Sequence, residues 1–432
     1  MKALVIGAGI SGLDCARLLK KEGYDVILTD MRPIEKKAEL EALGIEVYDN
    51  GHPDSLKAMK YDLIVKNPGI KYQTPFVSYF VKAGYLIYNE IDIASRFAKK
   101  YRYASITGTN GKTTTTTLLG ELLKNNNARN EAVGNIGQAL STVVLDKAQE
   151  QLDLAVEISA FQLLACHSYH PVVSVVTNLS PDHIDYFENE DNYYKAKMLV
   201  YKHQTGDDWF LLNLDDELVL KYAKDIPCKT VTYSLKKDAD LCLKDNHICL
   251  FDEVLFDKDD LQIPGKHNLY NAMVAAAMAY KLGVKPCDIK KTIQNFKGVE
   301  HRLQFIKEVD GVKYYNDSKG TNPDSTTVAL KAFDQSVILL AGGYDKKTGF
   351  EAIKPLLNKV KEMYVFGETK YQLKEIYPNA VVCADLLEAT TRAHASAKKG
   401  DVVLLSPMCA SWDQFKCFEE RGELFANIVK KF

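Results

Sequence analysis

A glycine-rich segment that ends in lysine and threonine is the part of the sequence best suited to bind phosphate. Residues 107–113 have the sequence TGTNGKT and follow the β-rich run ASI. Glycines let backbone N–H groups surround phosphate oxygens, Lys112 suits the β- and γ-phosphates, and the Thr113 hydroxyl suits Mg²⁺. Ile106 stands where the common GxxxxGK[ST] pattern has its first glycine, so the loop is a variant. We predict a nucleoside triphosphate site here; an ordinary strand-to-helix turn is the alternative.

Polar side chains follow the next two predicted strands. Glu157 ends the run LAVE, and Asn178 follows VSVVT and precedes Asp182, His183 and Asp185. Because the carboxyl ends of parallel strands share one edge of a sheet, we expect these groups to converge. Mg²⁺ takes oxygen ligands, so Glu157 is a candidate ligand, whereas the His183 imidazole could serve a second metal ion or a substrate oxygen. Taken alone, a glutamate at a strand end is more often a solvated charge or a helix cap.

The N-terminal segment carries a second glycine turn. Residues 7–12 have the sequence GAGISG, and Asp30 closes the second β-rich run, which matches the dinucleotide-binding fingerprint. The glycines require only a tight turn and a helix start that faces a diphosphate, and a UDP-sugar offers the same diphosphate as NAD. Asp30 and Arg32 could contact uridine or phosphate, although Arg32 is equally well explained as a surface charge.

Composition and charge argue against several classes of protein. Of the 432 residues, 46% are hydrophobic and 26% are charged, as in soluble globular proteins. Lys and Arg number 55 against 57 Asp and Glu, so the net charge of -2 provides no field that attracts nucleic acid or a membrane. The nine cysteines form no CxxC pair, which favours reduced thiols. With no signal-peptide pattern and no membrane-spanning apolar stretch, we expect a cytoplasmic protein.

The order of β-rich and helical runs predicts an α/β protein of three domains. Through residue 97, five β-rich runs alternate with stretches of helical period, which is typical of a parallel sheet covered by helices. The pattern restarts after the polar stretch AKKYRY and continues to Lys297 and Gly298, which suit a linker. We therefore predict domains at residues 1–97, 98–298 and 299–432.

Within this plan the second and third domains have features of their own. Between Trp209 and Gln262, short strands and Asp-rich turns replace helices, which indicates a small antiparallel addition to a parallel central sheet. A helix with a long apolar face begins near His267. The third domain opens with a hairpin around Asp310 and Gly311 and then alternates strands with helices.

Nine motifs, which span nearly the whole sequence, resemble the Mur ligase family in chain order. They are GTNGKT, EISAFQL, NLSPDHIDYF, YKAKM, GKHNLYNA, EHRLQ, YYNDSKGTNPDST, LLAGGYDKK and LLSPMCASWDQFKCFEERGELF. The resemblance implies an N-terminal Rossmann-like domain that binds UDP, a central P-loop ATPase domain, and a C-terminal Rossmann-like domain that closes over ATP and receives an amino acid. Two segments, SPMCASWDQF and NDSKGTNPDST, resemble the members that use D-glutamate.

The resemblance also assigns residues to ATP and metal ions. Lys197, which helical spacing alone would make a surface lysine, matches the lysine that the family carbamylates, and a carbamate supplies oxygens suited to Mg²⁺. Two Mg²⁺ sites are implied, with the ligands Thr113, Glu157, His183 and Lys197. The residues expected to bind ATP are Gly108, Thr109, Asn110, Gly111, Lys112, Thr113, Thr114, Asn271, Arg302 and Asp317. The residues expected to act in catalysis are Lys112, His183, Lys197, Arg302 and Lys319.

Two further sets are implied for the other substrates. UDP-N-acetylmuramoyl-L-alanine is expected at Ser11, Gly12, Asp30, Arg32, Asn67, Gly69, Asn135 and His183. D-Glutamate is expected at Lys346, Ser411, Trp412 and Phe418. The segment GGYDKK differs from a shorter GGDGK-like form of some members, so the register of Asp345 and Lys346 is open by one residue. Trp412 could otherwise serve packing alone.

The resemblance thus predicts an ATP-dependent ligase that joins D-glutamate to UDP-N-acetylmuramoyl-L-alanine in peptidoglycan precursor synthesis. The expected route passes through an acyl phosphate and a tetrahedral intermediate and releases ADP and phosphate. We expect a monomer with small-molecule substrates and no nucleic-acid or membrane partner. A folylpolyglutamate synthase-like ligase of the same superfamily is the nearer alternative. An NAD-dependent dehydrogenase leaves the second glycine loop unexplained, and a noncatalytic NTP-binding regulator leaves EISAF, DHID and NDSK unexplained.

Overall fold

The computed structural model describes residues 1–345 and 349–432, without the side chains of Ile184, Asp185 and Asp324. These residues form three β-sheets in chain order, which confirms the predicted α/β fold with N-terminal, central and C-terminal domains. The boundaries between those domains stay a prediction. Each helix in the described ranges is too short or too polar to cross a membrane.

Two compact units make up the described chain. One contains Met1–Asp257 and Asn271–Lys290, and the other contains Lys258–Tyr270 and Lys291–Phe432. The first unit holds the N-terminal and central sheets, and the second holds the C-terminal sheet. The nine cysteines are all free, as predicted, and six of them are buried: Cys15, Cys166, Cys242, Cys249, Cys383 and Cys409.

The N-terminal sheet is parallel, with the strand order β3-β2-β1-β4-β5. Its strands are β1 (Lys2–Ile6), β2 (Asp25–Thr29), β3 (Glu46–Tyr48), β4 (Leu63–Lys66) and β5 (Ile87–Tyr88). Its helices are α1 (Ile10–Lys21), α2 (Lys37–Ala42), α3 (Pro75–Lys82) and α4 (Glu90–Phe97). Ala3 and Val5 belong to one apolar cluster, whereas Leu4 and Ile6 belong to another. Since neighbouring residues of a strand face opposite sides, both faces of this sheet are buried.

The central sheet has nine strands in the order β14-β13-β12-β11-β10-β9-β6-β8-β7. Its strands are β6 (Arg102–Thr107), β7 (Ala132–Gly134), β8 (Asp153–Glu157), β9 (Val173–Val176), β10 (Trp209–Asn213), β11 (Lys229–Ser234), β12 (Leu241–Lys244), β13 (His247–Leu250) and β14 (Glu253–Asp257). The helices between them are α5 (Lys112–Leu123), α6 (Leu140–Lys147), α7 (Ala160–Leu163), α8 (Ile184–Phe187), α9 (Glu190–Met198) and α10 (Glu217–Tyr222).

The predicted antiparallel addition is confined to β12, β13 and β14, which continue the central sheet as its edge. Strands β10 and β11 pair in parallel with the sheet instead. The expectation that short strands replace helices after Trp209 is wrong at Glu217–Tyr222, where Asp216 caps a helix by accepting a hydrogen bond from Val219 N. An aspartate before an apolar run serves a helix cap as well as a turn, which explains the error.

The C-terminal sheet has the order β15-β16-β20-β17-β18-β19, in which only the β15–β16 hairpin is antiparallel among the described strands. Its strands are β15 (Gln304–Val309), β16 (Val312–Asn316), β17 (Val337–Gly342), β18 (Val360–Phe366), β19 (Val381–Val382) and β20 (Val402–Leu405). The helices after residue 257 are α11 (Lys266–Lys281), α12 (Pro286–Asn295), α13 (Pro323–Lys331), α14 (Lys370–Ile376), α15 (Leu386–Ser396) and α16 (Phe418–Val429). Short 3₁₀ helices are formed by Asp54–Ala58, Leu199–Tyr201, Lys258–Asp260 and Glu351–Lys359.

Side-chain caps fix helix starts inside two of the motifs. In EISAFQL, Ser159 N donates to Gln162 Oε1 (2.9 Å), and Gln162 N donates back to Ser159 Oγ (3.4 Å), which forms a capping box. In NDSKGTNPDST, Asn322 Oδ1 accepts a hydrogen bond from Ser325 N (2.8 Å), and Pro323 occupies the first turn of α13. These polar residues therefore have a structural task beside any chemical one.

We predict that Asn322→Ala lowers the free energy of opening of Pro323–Lys331 by about 1 kcal/mol, because the first turn loses its cap. Asn322→Gly is the matched variant, and it should cost only a few tenths of a kcal/mol. Hydrogen exchange of the amides of this helix measures both values. Equal protection in both variants and the parent would show that the cap does not stabilise the helix.

Candidate active site

The predicted phosphate loop lies between β6 and α5, as its strand–loop–helix order requires. Gly108 and Gly111 have φ values of 141° and 84°. A Cβ atom on Gly108 would lie 2.0 Å from Thr177 Oγ1, and one on Gly111 would lie 2.4 Å from Asn271 Oδ1. Both positions therefore need glycine for backbone conformation and for space. Asn271, expected to contact the nucleotide, lies directly beside this loop.

The end of strand β9 holds the loop in place. Thr109 N and Asn110 N donate to the backbone and side-chain oxygens of Asn178, both at 2.9 Å. Asn178 Nδ2 and Thr177 Oγ1 in turn donate to the Asn110 carbonyl oxygen, at 2.9 and 2.7 Å. The loop is thus ordered by the protein itself. Sequence reasoning noted Asn178 but missed Thr177, for which the polar end of an apolar strand was the available signal.

Two lysine side chains meet at one carbonyl oxygen of the loop. Lys112 Nζ donates to the carbonyl oxygens of Gly108 and Thr109, both at 2.9 Å. Lys197 Nζ donates to the same Gly108 oxygen at 2.7 Å and lies 4.5 Å from the centroid of the Tyr193 ring. Lys197 is 1% exposed, so the sequence-based alternative of a surface lysine is wrong. Burial, followed by the charge of Lys112, lowers the pKa of Lys197 to about 6.

Glu157 presents an unpaired carboxylate oxygen at the end of β8. Its Oε1 accepts a hydrogen bond from Asn135 Nδ2 (2.9 Å), whereas its buried Oε2 has no hydrogen-bond partner among the described residues. The charge of Glu157 acts on Lys197, and its neighbour in β6 is Ile106, directly before the loop. The alternative of a solvated charge is wrong, because Glu157 is 2% exposed.

This donor set fits magnesium. Across the described ranges, no three His, Cys, Asp or Glu side chains are grouped closely enough to hold a metal ion by themselves. Mg²⁺ does not need such a group, since it usually takes one or two carboxylates together with water and substrate phosphates. A buried carboxylate oxygen at Glu157 and the hydroxyl of Thr113 in the first turn of α5 suit that mode of binding.

The His183 side chain lies close to the EISAF motif and to the residue that precedes YKAKM. Its ring centroid lies 4.9 Å from that of Phe161 in EISAF and 6.1 Å from that of Tyr193, which precedes YKAKM. Its backbone has a φ of 53°, and its N–H donates to Asp182 Oδ1 at 2.9 Å. The imidazole is about half exposed, with Nε2 at 3.5 Å from Asp182 Oδ2. The predicted convergence at the sheet edge is therefore present for Asp182 and His183, while the side chain of Asp185 lies outside the described residues.

The second glycine turn is shaped by Asp30. Its carboxylate accepts hydrogen bonds from Ala8 N (2.7 Å) and Arg32 N (2.8 Å), so part of its bonding capacity is used within the protein. The Arg32 side chain is 84% exposed. The residues predicted to bind the UDP substrate around this turn follow β1, β2 and β4: Ser11, Gly12, Asp30, Arg32, Asn67 and Gly69. Asn135 bonds to Glu157 instead, and His183 lies beside Phe161.

In the second unit, Asp317 is a buried carboxylate whose two oxygens each accept a hydrogen bond. Its oxygens accept hydrogen bonds from Leu303 N (3.2 Å) and Ser406 Oγ (2.7 Å). Burial raises the pKa of Asp317 to about 7, against the lowering effect of these bonds and of the Arg302 charge. Lys319, from the same NDSK motif, has its Nζ 5.7 Å from the centroid of the Phe418 ring. The structure thus brings Lys319, predicted to act in catalysis, close to Phe418, predicted to bind D-glutamate.

The remaining predicted D-glutamate residues differ in exposure. Ser411 is buried, whereas Trp412 is 65% exposed and its ring centroid lies 5.6 Å from that of Tyr344. Packing therefore accounts for only a small part of the Trp412 side chain, because most of its surface is exposed. Asp345 N lies 3.4 Å from Glu368 Oε2, and Lys346 lies outside the described residues.

Arg421 ties this region together and was not identified from the sequence. Its guanidinium is fully buried and donates to the Ser318 hydroxyl and carbonyl and to the carbonyl oxygens of Cys409 and Ala410. It thereby links NDSK to the CAS segment that precedes Trp412. An arginine within a charged helical run gives no sign of burial, so only its place inside a quoted motif could have suggested a role.

Three family models match the chain in order. The Mur ligase MurD-like N-terminal domain matches residues 1–89, the Mur ligase middle domain matches residues 106–279, and the Mur ligase glutamate ligase domain matches residues 301–409. The matches follow the sequence of the three sheets.

Similar proteins cover the whole chain. The UDP-N-acetylmuramoylalanine–D-glutamate ligase of Geobacillus sp. (strain WCH70) is 40% identical over 441 residues, which cover 100% of this chain and 97% of the relative. The enzyme of the same name from Bacillus subtilis (strain 168) is 39% identical over 99% of this chain and 96% of its own length.

Solved structures agree at the level of the fold. The UDP-N-acetylmuramate-alanine ligase MurC of Thermotoga maritima aligns over 100% of this chain and 99% of its own, with a TM-score of 0.59 and 18% identity. MurF of Acinetobacter baumannii aligns over 88% and 93%, with a TM-score of 0.60 and 15% identity. Since relatives 40% identical extend from end to end and all three family models occur in order, this chain belongs to the Mur ligase family.

Proposed function

We propose that this protein joins D-glutamate to UDP-N-acetylmuramoyl-L-alanine at the expense of ATP, in the synthesis of peptidoglycan precursors. The observation that carries this conclusion is the 40% identity, over the full chain, to a ligase named for these substrates. The nucleotide loop supports it, because a second glycine loop with Lys112 suits a triphosphate and has no task in a dehydrogenase.

The first chemical step is transfer of the γ-phosphoryl group of ATP to the L-alanyl carboxylate. A carboxylate oxygen attacks the γ-phosphorus, the bond to the β-γ bridging oxygen breaks, and an acyl phosphate and ADP result. Lys112 donates to two carbonyl oxygens of its own loop, and in the proposed reaction it would turn toward the phosphate oxygens and offset their charge. Arg302 is proposed to contact the same nucleotide.

The second step forms the amide. The amine of D-glutamate attacks the acyl carbonyl carbon, a tetrahedral intermediate forms, and its collapse expels inorganic phosphate and leaves the new C–N bond. Lys346, Ser411, Trp412 and Phe418 are proposed to hold the amino acid, and Lys319 is proposed to act in catalysis. Water must be excluded while the acyl phosphate exists, because hydrolysis would return the carboxylate and waste ATP.

Magnesium completes the site by neutralising charge on the phosphate oxygens. Thr113 and Glu157 would hold one ion, and His183 with a modified Lys197 would hold a second. Asn135 orients Glu157 through its 2.9 Å hydrogen bond, which leaves the other carboxylate oxygen available as a ligand.

The surroundings of Lys197 support the proposal that it is carbamylated. A neutral amine attacks CO₂ and loses a proton, which gives a carbamate and one H⁺. With a pKa of about 6, Lys197 is mostly neutral at pH 7, whereas an ordinary lysine is almost fully protonated. The carbamate would also place an anion beside the Lys112 ammonium, which is an attraction that the neutral amine lacks.

The proposed function predicts ADP release that requires both UDP-N-acetylmuramoyl-L-alanine and D-glutamate. A coupled assay of ADP, with each substrate omitted in turn, measures this requirement. L-Glutamate, L-alanine and L-lysine as acceptors should give background rates. Equal turnover with another acceptor would identify a different ligase of the superfamily and contradict the proposal.

Lys112→Ala should lower kcat by about 10²–10³-fold, because the transferring phosphoryl group loses a charged donor. Lys124→Ala is the control, since Lys124 follows the same helix α5 but is exposed and paired with Glu121 at 2.6 Å. Its kcat should stay within about twofold of the parent, as for surface pairs in general. Normal turnover by Lys112→Ala would remove the loop from the mechanism.

Lys197 should bind ¹³CO₂ as a carbamate that ¹³C NMR detects in the parent chain and not in Lys197→Arg. The signal should weaken as pH falls through about 6, because protonation removes the nucleophilic amine. Lys195→Arg is the matched control on helix α9, where Lys195 is exposed and paired with Asp191 at 2.7 Å. A signal that persists in Lys197→Arg would assign the carbamate to another lysine.

A further inference from the structure

Lys66, the last residue of β4, is a buried lysine with no role in the chemistry above. Its side chain is 1% exposed and is among the largest fully buried side chains of the described chain. In the sheet it pairs with Ile6, directly before the glycine turn. Lysine is almost never fully buried unless its charge is satisfied, so this position needs an explanation.

The Lys66 ammonium gathers the backbone of a single loop. Its Nζ donates to the carbonyl oxygens of Asn67 (3.2 Å), Pro68 (3.4 Å) and Ile70 (2.6 Å), which uses all three of its hydrogens. It also lies 4.6 Å from the centroid of the Tyr72 ring. One cation therefore fixes the conformation of residues 67–70.

Among the described residues, no carboxylate pairs with the buried Lys66 ammonium. Among the ion pairs of the described residues Lys66 has none, and burial alone lowers the pKa of its ammonium to about 8. Carbonyl dipoles and one aromatic ring thus carry the whole compensation. Because a buried cation without a counter-ion is costly, a purely structural purpose would be served as well by an apolar side chain.

The loop that Lys66 holds faces the glycine turn. A Cβ atom on Gly7 would lie 2.7 Å from Asn67 Cβ, and one on Gly9 would lie 2.6 Å from Asn67 Nδ2. Gly69 N donates to Asn67 Oδ1 (3.2 Å), which orients the amide further. With the loop carbonyls turned toward Lys66, the Asn67 side chain lies against the turn to which the UDP substrate is assigned.

The same loop reaches the segment that follows His183. The Ile70 carbonyl oxygen, which accepts the shortest of the Lys66 bonds, also accepts a hydrogen bond from Tyr186 Oη at 3.4 Å. Gln73 Nε2 donates to Glu188 Oε1, also at 3.4 Å. The loop that Lys66 holds therefore lies against the glycine turn and also accepts a hydrogen bond from Tyr186.

We propose that Lys66 is a positioning residue for the UDP-sugar substrate: its ammonium draws three carbonyl oxygens inward and so sets Asn67 and Gly69 against the glycine turn. Its positive charge lies behind the loop that receives an anionic diphosphate. This inference rests on the proposed function, because it takes the ligand of the turn to be UDP-N-acetylmuramoyl-L-alanine. Lys66 acts on binding and touches no reacting atom.

Steady-state kinetics of Lys66→Met in the full chain test the proposal. The KM for UDP-N-acetylmuramoyl-L-alanine should rise about tenfold or more, as for loss of charge-assisted hydrogen bonds. The KM values for ATP and D-glutamate, and kcat, should stay within about twofold. Lys60→Met is the control, since it removes an exposed lysine just before β4, and its constants should all be unchanged. Lys66→Arg, which keeps the charge, should recover part of the lost affinity.

Each outcome of this experiment either supports or overturns the proposal. An unchanged KM for the UDP-sugar in a folded Lys66→Met chain, or a parallel loss of kcat and of all three KM values, would overturn the proposal. If Lys66→Met does not fold, Lys66→Gln takes its place, and failure of both would assign Lys66 to the fold alone. Absence of D-glutamate-dependent turnover in the parent chain would instead reject the proposed function, and UDP-N-acetylmuramoyl-L-alanine binding by calorimetry would then test Lys66 directly.

Discussion

The carbonyl oxygen of Gly108 is the contact on which the nucleotide site depends. Lys112 and the mostly neutral Lys197 both bond to this one oxygen, and the charge of Lys112 opposes protonation of Lys197. Thr177 and Asn178, directly after β9, hold the loop that carries this oxygen through hydrogen bonds to Asn110. Under the proposed function, an anionic phosphate at this place would offset the charge of Lys112.

The sheets bring these groups to one edge because their strands are parallel. Strands β6, β8 and β9 end at neighbouring positions, and their ends supply the loop, Glu157 and the Thr177–Asn178 clamp. The N-terminal sheet repeats the principle, since the turn after β1, Asp30 after β2 and the loop after β4 are neighbours through the pairing of these strands. Parallel pairing thus brings residues that are distant in sequence to one edge of a sheet.

Much of the fold and part of the site follow from the sequence, because they depend on local patterns. Short β-rich runs, glycine turns and helix caps are set by neighbouring residues, and the predicted strands and the loop at 107–113 were found where expected. Glu217–Tyr222 was missed because Asp216 suits a turn and a cap equally. The burial of Lys66 and Arg421 is a tertiary property, since nothing in their neighbours distinguishes them from surface cations. Lys197 required the family resemblance for the same reason.

The two buried lysines of the first unit, Lys66 and Lys197, show how the surroundings of a side chain set its protonation state. Lys66 has only neutral dipoles around it, and with a pKa of about 8 it stays mostly protonated at pH 7. Lys197 has a second cation beside it, and with a pKa of about 6 it is mostly neutral at that pH. A protonated lysine can organise carbonyl groups but cannot attack CO₂, whereas a neutral one can. The charge of Lys112 therefore helps to keep Lys197 neutral, which is the state that the proposed carbamylation requires.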